Sequence, residues 1–308
     1  MLLIIALIII TLSLPVVQTY IAKKVTTKLN KNFDTNINIS RLGLNWKGEI
    51  DIKDVYIEDH HSDTLIYVKT LNTDLLSLKN LVEGDLYFGF IELNKAKFYI
   101  KTYKDEKSDN VSIFANKFNS TSPSSDKKFV LKANDIKFSD SNVKITNENL
   151  EQSEIFNLSF INIESEIFSI VGPNVNTTIK QLSLESQRGF DIKNLTGIFS
   201  YSLTSISIKQ LKLKTDDSFI NGGIIMNYKE GELSDFVNKV DLNIHFNEAK
   251  ISTNDLNIFY NEFGLNQNIS INGDLKGTLN NFTFSNGQIK SGLIKVLGDY
   301  NFINLLSN

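Results

Sequence analysis

From Phe33 onwards, apolar and polar residues alternate with a period of two, the pattern of a strand with one buried face. The alternation is plain in Val240, Leu242, Ile244 and Phe246, and again in Ile269, Ile271, Gly273, Leu275, Gly277 and Leu279. Elsewhere it breaks in one recurring way: two alternating apolar residues, a polar pair, then two more. Ile50 and Ile52, Lys53-Asp54, Val55 and Ile57 form the first copy. Ile91 and Leu93, Asn94-Lys95, Ala96 and Phe98 repeat it. Leu131 and Ala133, Asn134-Asp135, Ile136 and Phe138 follow, and then Ile206 and Ile208, Lys209-Gln210, Leu211 and Leu213. Phe190/Ile192/Leu195 and Phe282/Phe284/Ile289 are looser copies. One extra residue in a strand turns every later side chain to the other face. A β-bulge absorbs that residue, returns the apolar set to its side, and adds twist and curvature. The polar pairs therefore read as bulges inside continuous strands. The alternative is a hairpin turn at each pair, but the pairs mostly lack the Asn-Gly or Asp-Gly chemistry of tight hairpins.

The pattern predicts a mainly β chain of about fifteen strands. Helix candidates are few and short: Leu75 to Val82, Val111 to Phe118 and Thr253 to Tyr260. The stretch from Asn119 to Lys128 reads as a flexible loop, and because the same motif lies on both sides it is an insertion in one architecture. The other exception is the N-terminus. Leu2 to Ala22 carries no charge, and a bilayer-spanning helix needs about 20 such residues. With no basic start and no Ala-x-Ala site, the segment reads as an uncleaved anchor rather than a signal peptide. Pro15 can kink it. Helix continues to Phe33, with Val17, Ile21, Val25 and Leu29 as an apolar stripe and Lys23, Lys24, Lys28 and Lys31 as residues facing the membrane surface. Residues 1–32 thus form a membrane anchor and juxtamembrane helix, and 33–308 a repetitive β-groove. All of these lysines follow the span, which by the positive-inside rule alone would put the body in the cytoplasm.

What covers the apolar face decides the function. An apolar sheet face must be buried against something, and the predicted helices are too few. A second sheet, a closed barrel, or an open trough filled by an apolar ligand remain. With 3 Pro and 16 Gly in 308 residues, the chain lacks the turn-rich punctuation of a sandwich. An open trough would be a large hydrophobic patch, which soluble proteins avoid unless it is used. Acyl chains fit it, at about 0.8 kcal/mol per buried methylene. The residues predicted to line it are Ile50, Ile52, Val55, Ile57, Ile91, Leu93, Phe98, Leu131, Ile136, Phe138, Ile206, Ile208, Leu211 and Leu213. Their role is collective.

The remaining chemistry is sparse. A net charge of -3 argues against a nucleic-acid partner. The absence of cysteine excludes disulfides and Cys-ligated metal. His60-His61, beside Asp59 and Asp63, reads as a solvated turn between strands in preference to a metal site, and neither metal nor cofactor is expected. His245 has the parity opposite to the apolar set and should point to water. Asp216-Asp217 and Glu148 read as turn or surface carboxylates. Trp46 suits either the membrane interface or the end of the groove. No nucleophile elbow, P-loop or dinucleotide turn occurs, so no enzyme is expected.

The anchor followed by QTYIAKKVTTKLNKNFDTNINISRLGLNWKGEIDIKDVYIEDHHSDTLIYVKTLNTDLLSLKNLVEGDLYFGFIELNKAKFYIKTYKDEKSDNVSIF, then FVLKANDIKFSDSNVKITNENLE and the later INGDLKGTLNNFTFSNGQIK, resembles the AsmA-like family of Gram-negative envelope proteins. Within it, the likeness is to the N-terminal part of the TamB-type translocation and assembly module subunits, in the version of the Bacteroidota. The resemblance implies one inner-membrane helix and a periplasmic body shaped as a long, taco-like β-groove. It also implies phospholipid carriage between the inner and outer membranes. In some members it implies partnership with an Omp85-type outer-membrane barrel (TamA-like) in assembling and secreting outer-membrane proteins. Basic residues before the anchor and the large C-terminal region of the family are absent, so the resemblance casts the chain as a fragment. Two other readings stand beside it: a chaperone-like factor that templates incoming strands at a sheet edge, and a structural or adhesive β-sandwich at the cell surface.

Overall fold

The computed structural model describes residues 15–44, 49–75, 85–118, 128–229, 231–258 and 264–305. These form one open, curled sheet of fourteen strands whose spatial order is the order of the sequence. The strands are β1 (Asn36–Leu44), β2 (Glu49–Glu58), β3 (Thr64–Leu75), β4 (Asp85–Thr102), β5 (Val130–Asn147), β6 (Glu154–Val171) and β7 (Asn174–Ser186). They continue as β8 (Ile192–Ser202), β9 (Ser205–Lys214), β10 (Phe219–Asn227), β11 (Asp241–Ser252), β12 (Asn268–Gly277), β13 (Asn281–Ser291) and β14 (Ile294–Ile303). Short helices punctuate them: α1 (Pro15–Phe33), α2 (Asn110–Asn116), α3 (Phe236–Lys239, preceded by a 3-10 turn at Glu232–Asp235) and α4 (Thr253–Asn257). Among the described residues every strand belongs to this one sheet and β1 does not pair with β14, so there is neither a second sheet nor a closed barrel.

The mainly β expectation holds, with fourteen strands among the described residues where about fifteen follow from the pattern. The second helix candidate is α2 and the third begins α4, which ends at Asn257. The first lies almost wholly outside the described residues, as do Trp46 and the 119–127 loop. So does the most apolar part of the anchor, residues 2–14. No helix among the described residues is long and apolar enough to cross a membrane. In α1 the four lysines are exposed, and Gln18, Ala22 and Thr26 are the buried positions. The helix is in contact with β1.

All four polar pairs lie inside continuous strands, which excludes hairpins there. At three of them the second residue adopts the left-handed conformation: Asp54 (φ 51°), Lys95 (φ 53°) and Gln210 (φ 53°). The fourth differs. In β5 the left-handed residue is Asp140 (φ 49°), not Asn134 or Asp135.

The breaks are built in two ways. From β1 to β5 they line up. Ile39 pairs with Val55 and Arg41 with Lys53; Val55 pairs with Val68 and Lys53 with Thr70; Val68 pairs with Ala96 and Thr70 with Asn94. Neighbouring strands change phase at the same level, so none carries an excess residue and the sheet creases along a transverse line. From β7 onwards the odd-numbered strands carry the extra residue, and each even-numbered neighbour meets it with a glycine: Gly197, Gly222, Gly273 and Gly298. At Gly222 the requirement is steric, because an added Cβ would lie 1.9 Å from the carbonyl oxygen of His245.

One joint breaks the meander. β4 and β5 are parallel, and parallel neighbours need a crossover. The crossover starts where β4 outruns β3, whose last pairing is Ile66 with Phe98. There Asn110 replaces the missing strand: its Oδ1 accepts from the Lys101 N–H at 2.8 Å, and its Nδ2 donates to the Tyr99 carbonyl at 3.0 Å and to Asp59 Oδ2 at 2.9 Å. The side chain is 1% exposed. Asn110→Ala leaves one buried and two partly buried polar groups without this partner and should lower stability by about 2–3 kcal/mol, read from urea unfolding at unchanged m. A loss below about 0.5 kcal/mol, the level of an ordinary surface change, would disprove the strand-substitute role.

Candidate functional site: one apolar face across fourteen strands

Directly opposed residues in a sheet share a face. Starting at Leu42 and following the pairing from strand to strand gives Ile52, Leu71, Leu93, Phe138, Ile163 and Leu182. The same line continues through Leu195, Leu213, Ile220, Ala249, Ile271 and Ile289 to Val296. Every member is apolar. At about 4.8 Å per strand the line runs for about 60 Å. All fourteen residues predicted as lining fall on this face. Ile50, Val55 and Ile57 flank the line on β2, Ile91 and Phe98 on β4, Leu131 and Ile136 on β5, and Ile206, Ile208 and Leu211 on β9.

Buried clusters stud the face, around Val55, Val68 and Ala96, around Ile91, Ala133 and Ile136, and around Ile179, Leu195 and Leu211. The side chains beside them, such as Leu93, Phe138, Ile208 and Leu213, are only half-buried. Among the described residues, the apolar side chains packed with them come from their own and neighbouring strands of the same sheet.

The crossover shows which way the sheet curls. Asp109 and Ser112, at the start of α2, lie close enough to act on the phenol of Tyr201, which shares the apolar face of β8 through its pairing with Val175 and Ile206. Lys107 and Ser108 crowd Gly231, just beyond β10. A segment anchored at the end of β4 reaches β8 and β10 only if the intervening sheet curls with its apolar face inwards. Burial raises the phenols of Tyr201 and Tyr228, and the Asp109 carboxylate adds to this at both. The crossover thus bridges one stretch of an otherwise open trough.

Beside the bridge, the turn between β2 and β3 is as expected from Asp59-His60-His61. Asp59 N–H donates to the Asp63 carbonyl at 2.9 Å and Ser62 takes φ 64°. Burial raises the Asp59 carboxyl, but hydrogen bonds from Asn110, Tyr103 and the N–H groups of His61 and Asp63 outweigh it and hold the group below its ordinary value. What the sequence did not reveal is Glu106. It arrives from the crossover and accepts from His60 Nε2 at 2.9 Å and His61 Nε2 at 2.7 Å. In sequence it is one of three acidic residues, with Asp105 and Asp109, in a loop that also carries Lys104 and Lys107.

Glu148 is ion-paired with Lys101 at 2.9 Å, and Asp216 with Lys193 at 3.0 Å. His245 faces water and lies 2.6 Å from Asp274, its partner on β12. The hydrogen bond that the protonated imidazole donates to Asp274 raises the His245 pKa above 6.5. The contribution of the pair to stability is therefore full below the ordinary histidine range and is lost as pH rises through the raised value. NMR titration should place the His245 midpoint above 6.5, and Asp274→Asn should lower it; an unchanged midpoint in that variant would refute the pairing. No family model and no curated protein matches the chain.

Proposed function

We propose that the trough carries phospholipid, with acyl chains against the apolar face and head groups towards water at the open side. The observation that supports this is the unbroken apolar line from Leu42 to Val296, on a face that no second sheet among the described residues covers and that the crossover bridges only near β8 and β10. Left bare in water, such a face would be a standing aggregation site. A fluid apolar ligand needs no specific polar contact to cover it, which agrees with the absence of convergent polar groups along the line. In this reading the protein is anchored in the inner membrane by its N-terminal segment, the sheet lies in the periplasm, and lipid moves along it towards the outer membrane. That placement comes from the resemblance to AsmA-like proteins, as does an outer-membrane barrel as partner.

The test is lipid extraction and mass spectrometry of the protein purified without added lipid and exchanged into an amphipol. Stoichiometric phospholipid, protected from exchange by excess detergent, is the expected result. Lipid-free protein that stays monodisperse would overturn the proposal. It would then favour strand addition at the free edge of β14, where Ile294, Leu297 and Ile303 are exposed.

A further inference from the structure

We propose that His60, His61 and Glu106 form a binding site for a divalent transition-metal cation of the zinc class, clamping the crossover loop to the β2–β3 turn. This inference is independent of the lipid reading. The three groups come from segments more than forty residues apart in sequence. Their ligand atoms nevertheless lie within 4.8 Å of one another. Two imidazole nitrogens and one carboxylate are a donor set that suits zinc, with one coordination position left for water. Zinc sits about 2.0–2.2 Å from such atoms, so tetrahedral ligands stand about 3.3 Å apart. Each imidazole meets its own oxygen of the Glu106 carboxylate, at 2.9 and 2.7 Å, and these two contacts open by about half an ångström when the ion enters. All three side chains are reachable from solvent.

The donors are held in place by groups that are not themselves ligands. Tyr103 stacks on the His61 ring at 3.9 Å and 28°. Its hydroxyl lies 2.7 Å from Asp59 and 2.8 Å from Asp63, so its one proton is shared between the two carboxylates. Asp59 in turn fixes the histidine turn by accepting from the N–H groups of His61 and Asp63 at 2.9 and 3.0 Å. On the other side, the Glu106 carbonyl accepts from Asn149 Nδ2 at 2.9 Å and its N–H donates to the Tyr103 carbonyl at 3.1 Å. Both arms of the clamp thus converge on Tyr103. Lys101, whose Nζ lies 4.1 Å from the centre of the Tyr103 ring, is ion-paired with Glu148 and Asp63. In the metal-free protein the histidines and the carboxylate satisfy one another, so the site is closed without being frustrated, and the ion replaces two hydrogen bonds by three coordinate bonds.

The test uses the full chain in detergent, stripped with a chelator and titrated with Zn2+ against a chromophoric competitor. One equivalent should bind, Mg2+ should not compete, and Tm should rise with zinc. Co2+ should give the intense visible absorption of a tetrahedral site. His61→Ala and Glu106→Gln should each weaken zinc binding at least about tenfold, while His245→Ala leaves it unchanged. Circular dichroism of the metal-free variants guards against misfolding, and His60→Ala provides an independent third variant. Failure of the wild-type chain to bind one equivalent, or wild-type affinity in both Glu106→Gln and His61→Ala, would overturn the proposal.

Discussion

Gly222→Ala is expected to cost about 3–5 kcal/mol, enough to unfold the C-terminal half of the sheet or split it between β10 and β11. The added methyl would sit 1.9 Å from the His245 carbonyl oxygen and 3.0 Å from its carbon. Those are backbone atoms of the bulged neighbour, which cannot rotate aside as a side chain could. Relief requires the two strands to separate, and the ladder bonds around the bulge go with them. Gly43→Ala is the matched control, since its Cβ would meet Asp51 at an ordinary 3.5 Å. It should be neutral, or stabilise by about 0.5 kcal/mol through the unfolded chain. Urea unfolding of both variants decides the matter. Equal stability of the two would mean that the glycines opposite the bulges are not there for close approach.

Ile208→Asp is expected to reduce bound phospholipid by about tenfold, equivalent to about 1.4 kcal/mol. Ile208 is half-buried, so the fold can accommodate the change while the carboxylate sits where an acyl chain would lie. An unpaired charge facing hydrocarbon is costly. Ile208→Ala should change little, because many residues share the contact. Lys209→Asp, one residue along and pointing out of the trough, should leave lipid content alone. Lipid per chain, quantified on monodisperse protein, is the measurement. Loss with Lys209→Asp but not with Ile208→Asp would assign the ligand to the wrong face.

Much of this architecture is legible in the sequence because period two is a local signal. Lys53-Asp54, Asn94-Lys95 and Lys209-Gln210 each stand between apolar pairs of unlike parity, and a chain that keeps one face buried has little choice there. β5 shows the limit. Asn134-Asp135 does change phase, since Ala133 and Ile136 share one buried cluster, but without a left-handed residue; that conformation falls at a second break, Asp140, level with Lys95 of the parallel neighbour. Register against a partner strand is a tertiary property that single-strand parity does not encode. The same reason hides Glu106. His60 and His61 are visible as a pair, but their third member is brought in by the crossover, and nothing local distinguishes it from the lysines and acids around it. The line from Leu42 to Val296 sits between these cases. Its members were readable one strand at a time, but their alignment into one line needed the pairing.

The parallel joint between β4 and β5 has a kinetic consequence. Every other neighbour pair is antiparallel and successive in the chain, so it can zip locally. β4 and β5 match residues forty-five positions apart, as Asp85 with Val130 and Thr102 with Asn147. Closing that long loop carries the largest entropic cost among the strand pairings, although such costs grow only logarithmically with length. The four strands before the joint and the ten after it are therefore separate nucleation units, and docking across this seam is the natural slow step in maturation.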